Sequence, residues 1–351
     1  MSKKNCYIFA CDLESNRGEG LLGLNYIKLL SKFHPNINFE CVSPDTKFFL
    51  KKNNLKIIKR KNNININFKY LSQYLLPFLG ILLLWINFFK NKKLLYLNFL
   101  PLWNFFIFLL VPPRTRFGPI TGYEFKGNVD TFSDFLRKYI FPLFYTISLN
   151  LIYFRKNRAL YSSDLLKNFL FKKKIKDSLL YFQIRNINKI VKKKKKYDFI
   201  IYFRKYFSKN YNFIKQITEF LVKNNYKVIV IGDKLLIRGV KNLGFISRKK
   251  TLALLKFTKF TFNPPENFYS MFFIDSYNSG VKIFFNKLTK PKLFFVKKNI
   301  IPLNYKNIKK AKKIIKNAFS KKYILYNEHI FFKKRFKKFK IQQDIYFKNL
   351  F

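Results

Sequence analysis

The chain has 351 residues, which suits two domains of about 150 residues each better than one core, and its 49% hydrophobic content excludes a disordered chain. Its 71 Lys and Arg against 17 Asp and Glu give a formal charge of +54, a balance that taken alone suggests nucleic acid or an anionic membrane surface. Yet Arg stands at only 12 positions, Lys, Asn, Ile, Phe and Tyr are inflated together as drift towards AT-rich codons inflates them, and no Lys-rich segment has the aromatic spacing of a base-stacking platform, so no nucleic-acid partner is expected.

In chain order, "CYIFAC" predicts a first strand. The charged lead before it is followed by an apolar run, ended by Asp12, that is too short for a signal peptide. Cys6, Cys11 and Cys41 have no paired spacing and point to a reducing, cytoplasmic compartment. With His34 and His329 as the only imidazoles, neither a zinc site nor a His-based triad is expected. Gly18, Glu19 and Gly20 fall between this strand and the helix "GLLGLNYIKLLSKF". Two glycines there allow close backbone approach to a ligand, and they equally make a plain tight turn.

"INFECVS" reads as a strand, "YLSQYLLPFLGILLLWINFFK" as a helix, "KLLYLNFL" as a strand, "LWNFFIFLLV" as a helix and "RTRFGPI" as a strand. The last runs into a strand-end loop with Gly118 and Gly122 around Pro119. The apolar stretches here, together with "YIFPLFYTISLNLIYF", fall short of the about 18–20 residues of a membrane-spanning helix. They are expected to be buried helices flanking a parallel sheet, with one face able to touch an anionic bilayer. From Tyr161 to Lys196 the pattern loosens and ends in the Lys192–Lys196 run, a boundary.

The alternation then restarts. "DFIIYFR" is a strand, "NYNFIKQITEFLVKNN" a helix, "YKVIVIGD" and "KNLGFIS" strands, "RKKTLALLKF" a helix and "KFTFNPP" a strand. "FYSMFFIDSYNSG" is a helix ending at Gly280, and "VKIFFN" the next strand. The expected organisation is a first Rossmann-like domain at 1–165, a linker at 166–197, a second Rossmann-like domain at 198–330 and a C-terminal helix at 331–351 that includes "FKIQQDIYFKNLF". Two doubly wound parallel sheets imply a cleft, with ligands at the C-terminal ends of the strands.

Four positions carry the chemistry. At the end of the second half's first strand, Arg204 stands five residues before Lys209. A guanidinium fork with an ammonium there would clamp a diphosphate leaving group. Glu266 falls between a strand and a helix whose first amides, through Asn267, Phe268, Tyr269 and Ser270, make an anion site. Asp275 follows in that helix. By themselves the two carboxylates are equally a dipole-favoured helix start and a surface or capping residue.

The order of these pieces resembles a GT-B glycosyltransferase, closest to glycosyltransferase family 4. In that family a strand-end R-x4-K pair holds the donor diphosphate, and Arg204 and Lys209 match its spacing. "ENFYSMFFIDSYNSGVKIFF" resembles the family's E-x7-E motif: Glu266 matches the first Glu, which contacts the donor sugar, and the Phe268–Ser270 peptides match those on the phosphates. Asp275 stands where the second, ribose-binding Glu belongs, one carbon shorter and one residue further on. "VIVIGD" and "NLGFIS", with Gly232 and Gly244, resemble the strands around the nucleotide base, and Gly18–Gly20 and "GPITG" resemble the first domain's ligand loops. The resemblance implies transfer of a sugar, with retention and without metal or cofactor, from a nucleotide-sugar donor to a glycan or lipid-linked acceptor, with 1–165 as the acceptor-side domain, 198–330 as the nucleotide-sugar-binding domain and the helix at 331–351 packing back on the first domain. Such a product would enter cell-surface polysaccharide or lipopolysaccharide. A fucosyltransferase-like GT-B family and a non-catalytic basic-surface binding protein are the alternatives.

Overall fold

The computed structural model describes residues 4–11, 13, 18–43, 50–52, 54–59, 71–98, 100–120, 122, 129, 132–155, 158–162, 166, 169, 195–205, 211–263, 270–287, 299–321 and 329–351, with backbone alone at 4, 50–52, 58–59, 71–74, 329–336 and 338. The chain divides into two compact units. The first comprises Met1–Glu124, Val129–Gln183 and Phe339–Phe351, and the second Phe125–Asn128 and Ile184–Lys338.

The first unit is a seven-stranded sheet. Its strands are β1 (Lys4–Ala10), β2 (Ile37–Ser43), β3 (Leu50–Lys52), β4 (Leu55–Lys59), β5 (Lys93–Leu97), β6 (Arg116–Ile120) and β7 (Arg158–Tyr161), in the order β3-β4-β2-β1-β5-β6-β7. All pairings are parallel except β3 with β4. The β3–β4 pair is not among the expected elements. In "LKKNNLKIIK" lysines interrupt the apolar run, as suits a protected sheet edge.

The helices of this unit are α1 (Gly18–Phe33), α2 (Leu71–Phe89), α3 (Phe105–Leu110) and α4 (Phe132–Phe135). A π-helical turn (Leu136–Ile140) carries α4 into α5 (Phe141–Phe154). Successive β1 side chains point to opposite faces. Tyr7, Phe9 and Cys11 therefore share a core with Ile81 of α2, Phe108 of α3 and Leu149 of α5. Gly80 lets α2 lie directly on β1, because a Cβ there would run into the Phe9 ring. Among the described residues no helix is long and apolar enough to cross a membrane. The expectation that α2, α3 and α5 are buried holds on their sheet-facing sides alone. Their outward sides expose Leu82, Phe106 and Leu143, which no described residue of the unit covers.

The second unit has six parallel strands, β8 (Tyr197–Phe203), β9 (Val228–Gly232), β10 (Lys241–Asn242), β11 (Thr258–Phe262), β12 (Lys282–Asn286) and β13 (Ile300–Leu303), in the order β10-β9-β8-β11-β12-β13. The helices are α6 (Tyr211–Lys223), α7 (Arg248–Lys256), α8 (Met271–Asn278) and α9 (Ile308–Ser320). The centre is aromatic, with Phe199 of β8 stacked on Phe262 of β11 at 5.3 Å and Phe260 on Phe284 of β12 at 5.4 Å. From β8 the chain winds towards β10, then returns to start β11 on the other side, so β8 and β11 flank the reversal of winding.

The last helix, α10 (His329–Lys348), ends in the first unit. Phe347 is fully buried edge-on to Tyr26 of α1, and His34 Nε2 donates to the Phe347 carbonyl at 2.7 Å. Phe351 lies under the Arg116 guanidinium.

Candidate donor-binding site

In an open parallel α/β sheet, the strands beside a reversal of winding have their next loops turned apart, leaving a crevice beyond their C-terminal ends. In the second unit that place is the end of β8 and β11. Arg204 is the first residue after β8. Its Nε lies 3.6 Å from Asp233 Oδ2, one of its terminal nitrogens donates to the Tyr202 hydroxyl at 3.2 Å, and its guanidinium sits 5.4 Å from the Phe245 ring centroid. Asp233 is itself held, since its Oδ2 accepts the Lys205 amide at 2.7 Å and its own amide donates to the Phe203 carbonyl. The cation is therefore positioned from three sides.

Gly232 makes this arrangement possible. Its φ is +97°, its amide donates to the Gly244 carbonyl at 2.9 Å, and a Cβ would collide with the Phe203 carbonyl. Gly244 also has positive φ, +64°, but faces open space. The two expected glycines thus meet each other beside Arg204. Asp233 and Phe245, which hold its guanidinium, follow them directly in sequence, and the only signal for either was that adjacency.

After β11 comes Asn263, 1% exposed, and neither of its side-chain amide atoms has a hydrogen-bond partner among the described residues. A buried amide left unpaired costs about 1–3 kcal/mol. The sequence offered no pattern that marks Asn263 out. Lys209, Glu266, Asn267, Phe268 and Tyr269 lie outside the described residues. Ser270 is the N-cap of α8, its hydroxyl accepting the Phe273 amide at 3.1 Å. The helix therefore starts at Met271, later than the expected start at Phe268, because Ser270 is extended at φ −61°, ψ 139°.

Asp275, the expected ribose contact, is held by an arginine. It is 5% exposed, and its two oxygens accept from Arg248 Nε at 2.7 Å and from a terminal nitrogen at 2.6 Å. This bidentate pair ties α8 to the first turn of α7, and the hydrogen bonds it donates to Asp275 raise the Arg248 guanidinium above its usual pKa. The partners are 27 residues apart, a separation with no local signature.

In the first unit Gly18, Glu19 and Gly20 form the first turn of α1, where a separate loop was expected. The glycine that enforces close approach is Gly23, whose Cβ would lie 3.0 Å from the Asn98 amide nitrogen, at the end of β5, and 3.1 Å from Leu13. Gly118 is also not a loop residue. It lies within β6 at φ +150°, against Leu160 of β7, where the β6–β7 register shifts. Gly122, at φ +74°, packs on Leu166. Its packing role is a close contact of backbone with side chain.

No protein-family model matches the sequence, and no curated protein does. Solved structures do. A glycosyltransferase from Rickettsia africae ESF-5 superposes with a TM-score of 0.54 over 99% of this chain and 98% of its own, at 12% identity. The chain has the GT-B glycosyltransferase fold. A UDP-forming α,α-trehalose-phosphate synthase from Burkholderia vietnamiensis gives 0.52 over 99% and 98% at 7% identity. The α,α-trehalose 6-phosphate synthase from Burkholderia multivorans gives 0.51 over 99% and 97% at 9% identity. Identities this low carry the fold alone, so the chemistry must be argued from the residues.

Proposed function

We propose that the protein is a glycosyltransferase that moves a sugar from a nucleotide-diphosphate donor to a hydroxyl acceptor, with the donor held at the C-terminal ends of β8 and β11. The observation that carries this reading is Arg204, one of few arginines in a lysine-rich chain, positioned at the reversal of winding by Asp233, Tyr202 and Phe245. Arg204 and Lys209 neutralise the charge that grows on the leaving diphosphate, which is preorganised electrostatic stabilisation. Glu266 takes the donor sugar, and the backbone through Phe268 to Ser270 the phosphates. Asn263 offers its amide to the same ligand. Gly232 and Gly244 leave room for the base.

Asp275 is read here as the residue that ties α8 to α7 through Arg248, in place of the expected ribose contact. The transfer is read as retaining and as needing no metal or cofactor, with the two cations in the place of one. The acceptor is a glycan or a lipid-linked sugar at the cytoplasmic face of the membrane, in cell-surface polysaccharide or lipopolysaccharide synthesis. The buried thiols of Cys6, Cys11 and Cys41 are in no disulfide, which suits that reducing compartment.

Thermal unfolding of the full-length protein with a panel of nucleoside diphosphates and nucleotide sugars tests the proposal. One ligand at 100 times its dissociation constant should stabilise by about 2.7 kcal/mol, and Arg204→Ala should abolish the response. If no nucleotide shifts the transition while heparin does, the donor reading fails and a basic-surface binding protein replaces it.

A further inference from the structure

Three helices of the first unit carry no charged residue at all: Leu71–Phe89, Phe105–Leu110 and Phe141–Phe154. In a chain with 25% charged residues this is a strong local departure. The three lie side by side on one sheet face. Trp85 Nε1 of α2 donates to the Leu110 carbonyl of α3 at 2.8 Å, Ser148 of α5 donates to the Leu102 carbonyl at 2.6 Å, and Trp103 stacks on Phe141 at 5.7 Å. They form one layer, and its inner side is the core already described.

The outer side of that layer is apolar too. On α2 the exposed residues Leu75, Phe78, Leu82, Ile86 and Phe89 recur every three or four positions, the stripe opposite Ile81 and Leu84. Phe106, Leu109 and Leu110 continue the surface on α3, and Phe132, Leu143, Ile147 and Phe154 on α4 and α5. Phe89, Phe132 and Phe154 are each about three-quarters exposed, at 76%, 75% and 74%. A continuous face of this kind marks a binding surface.

The charges around it choose the occupant. From Leu71 to Ile120 the chain contains no Asp or Glu, and in Phe132–Phe154 the one acid, Asp134, is buried. Among the described residues the exposed rim is cationic. Lys90 and Arg114 follow the C-terminal ends of α2 and α3, and Lys138 lies where the π-helical turn leads into α5. A second copy of this face would set cations against cations. A bilayer with anionic headgroups meets both requirements, acyl chains for the apolar stripe and phosphates for the rim.

We infer that the outer face of α2, α3 and α5 docks the protein on an anionic phospholipid surface, lying in the plane of the headgroups without spanning the bilayer. The inference concerns lipid binding alone, so it stands or falls separately from the nucleotide measurement above.

Trp85 and Trp103 are the chain's only tryptophans, and both belong to this layer, so intrinsic fluorescence reports on it directly. The full-length protein is pelleted with vesicles of phosphatidylglycerol and phosphatidylethanolamine, or of phosphatidylcholine, with and without brominated acyl chains. The expected result is at least tenfold preference for the anionic vesicles, at about fivefold per rim cation, with quenching by the brominated lipid. Leu82→Asp, Phe89→Asp and Leu143→Asp together should cut partitioning at least tenfold while the circular dichroism spectrum stays that of the wild type. If that variant does not fold, Lys90→Glu with Arg114→Glu should still remove the anionic preference. Binding without quenching would mean that lysine runs elsewhere hold the surface, and it overturns the inference. So does a wild-type protein that stays in the supernatant, or one that is a dimer without lipid and becomes a monomer in the triple variant.

Discussion

The solvent-facing sides of the helices differ between the two units, although both units are parallel sheets built from one lysine-rich composition. In the second unit α6 and α9 follow the ordinary rule. Phe213, Ile214, Ile217 and Leu221 of α6 face the core, with Lys215, Gln216 and Lys223 outside, and α9 buries Ala311 and Ile315 beneath Lys309, Lys310, Lys313 and Lys316. In the first unit α2, α3 and α5 put Leu, Ile and Phe on both sides. Drift towards AT-rich codons explains the lysines of α1, α6, α7, α9 and α10. It does not explain why three adjacent helices have none. Their outer faces are free of charge, and such a face makes sense against an apolar partner.

That comparison can be broken by placing the same residue in both units and reading urea denaturation midpoints. Ile217→Lys in α6 should have the largest effect, about 5 kcal/mol or more, because Ile217 is fully buried and an unpaired ammonium has no partner there. Asp275→Asn should cost about 2–3 kcal/mol by leaving the Arg248 guanidinium with half its pairing, somewhat less than for a wholly buried pair, since the Arg248 side chain is 31% exposed. Gly80→Ala should cost about 1–2 kcal/mol, the clash with Phe9 outweighing the better helix propensity of Ala. Leu82→Lys should change stability by less than about 0.5 kcal/mol, because its side chain is 59% exposed. A large loss at Leu82 would mean that the outer stripe is core, and the contrast between the units would disappear.

The alternation of apolar runs was legible because both faces of each central strand are covered. Val228–Gly232 and Tyr197–Phe203 read as unbroken hydrophobic strings and became adjacent strands. The edge pair β3–β4 was not legible, since an edge strand needs charges that blur the signal. At the site, Arg204 could be picked out from its place at a strand end, and Gly232 and Gly244 from their likeness to the family's strands around the nucleotide base; the structure sets the three side by side. Asp233 and Asn263 were passed over, being polar residues with no spacing to mark them. Asp275 was found by its distance from Gly280, but its partner was invisible.

By itself the sequence determined where strands and helices alternate, that there are two sheets, and that one strand end carries a scarce arginine. Those features are local: periodicity, glycines and residue type act over a turn or a strand. Tertiary structure alone decided that Arg248 takes both oxygens of Asp275, that Gly18–Gly20 belong to a helix, that Gly118 sits inside a strand, and that three uncharged helices lie together with one apolar side turned outward. Each of these depends on which elements become neighbours across tens of residues, and that is set by how the sheets fold back on themselves.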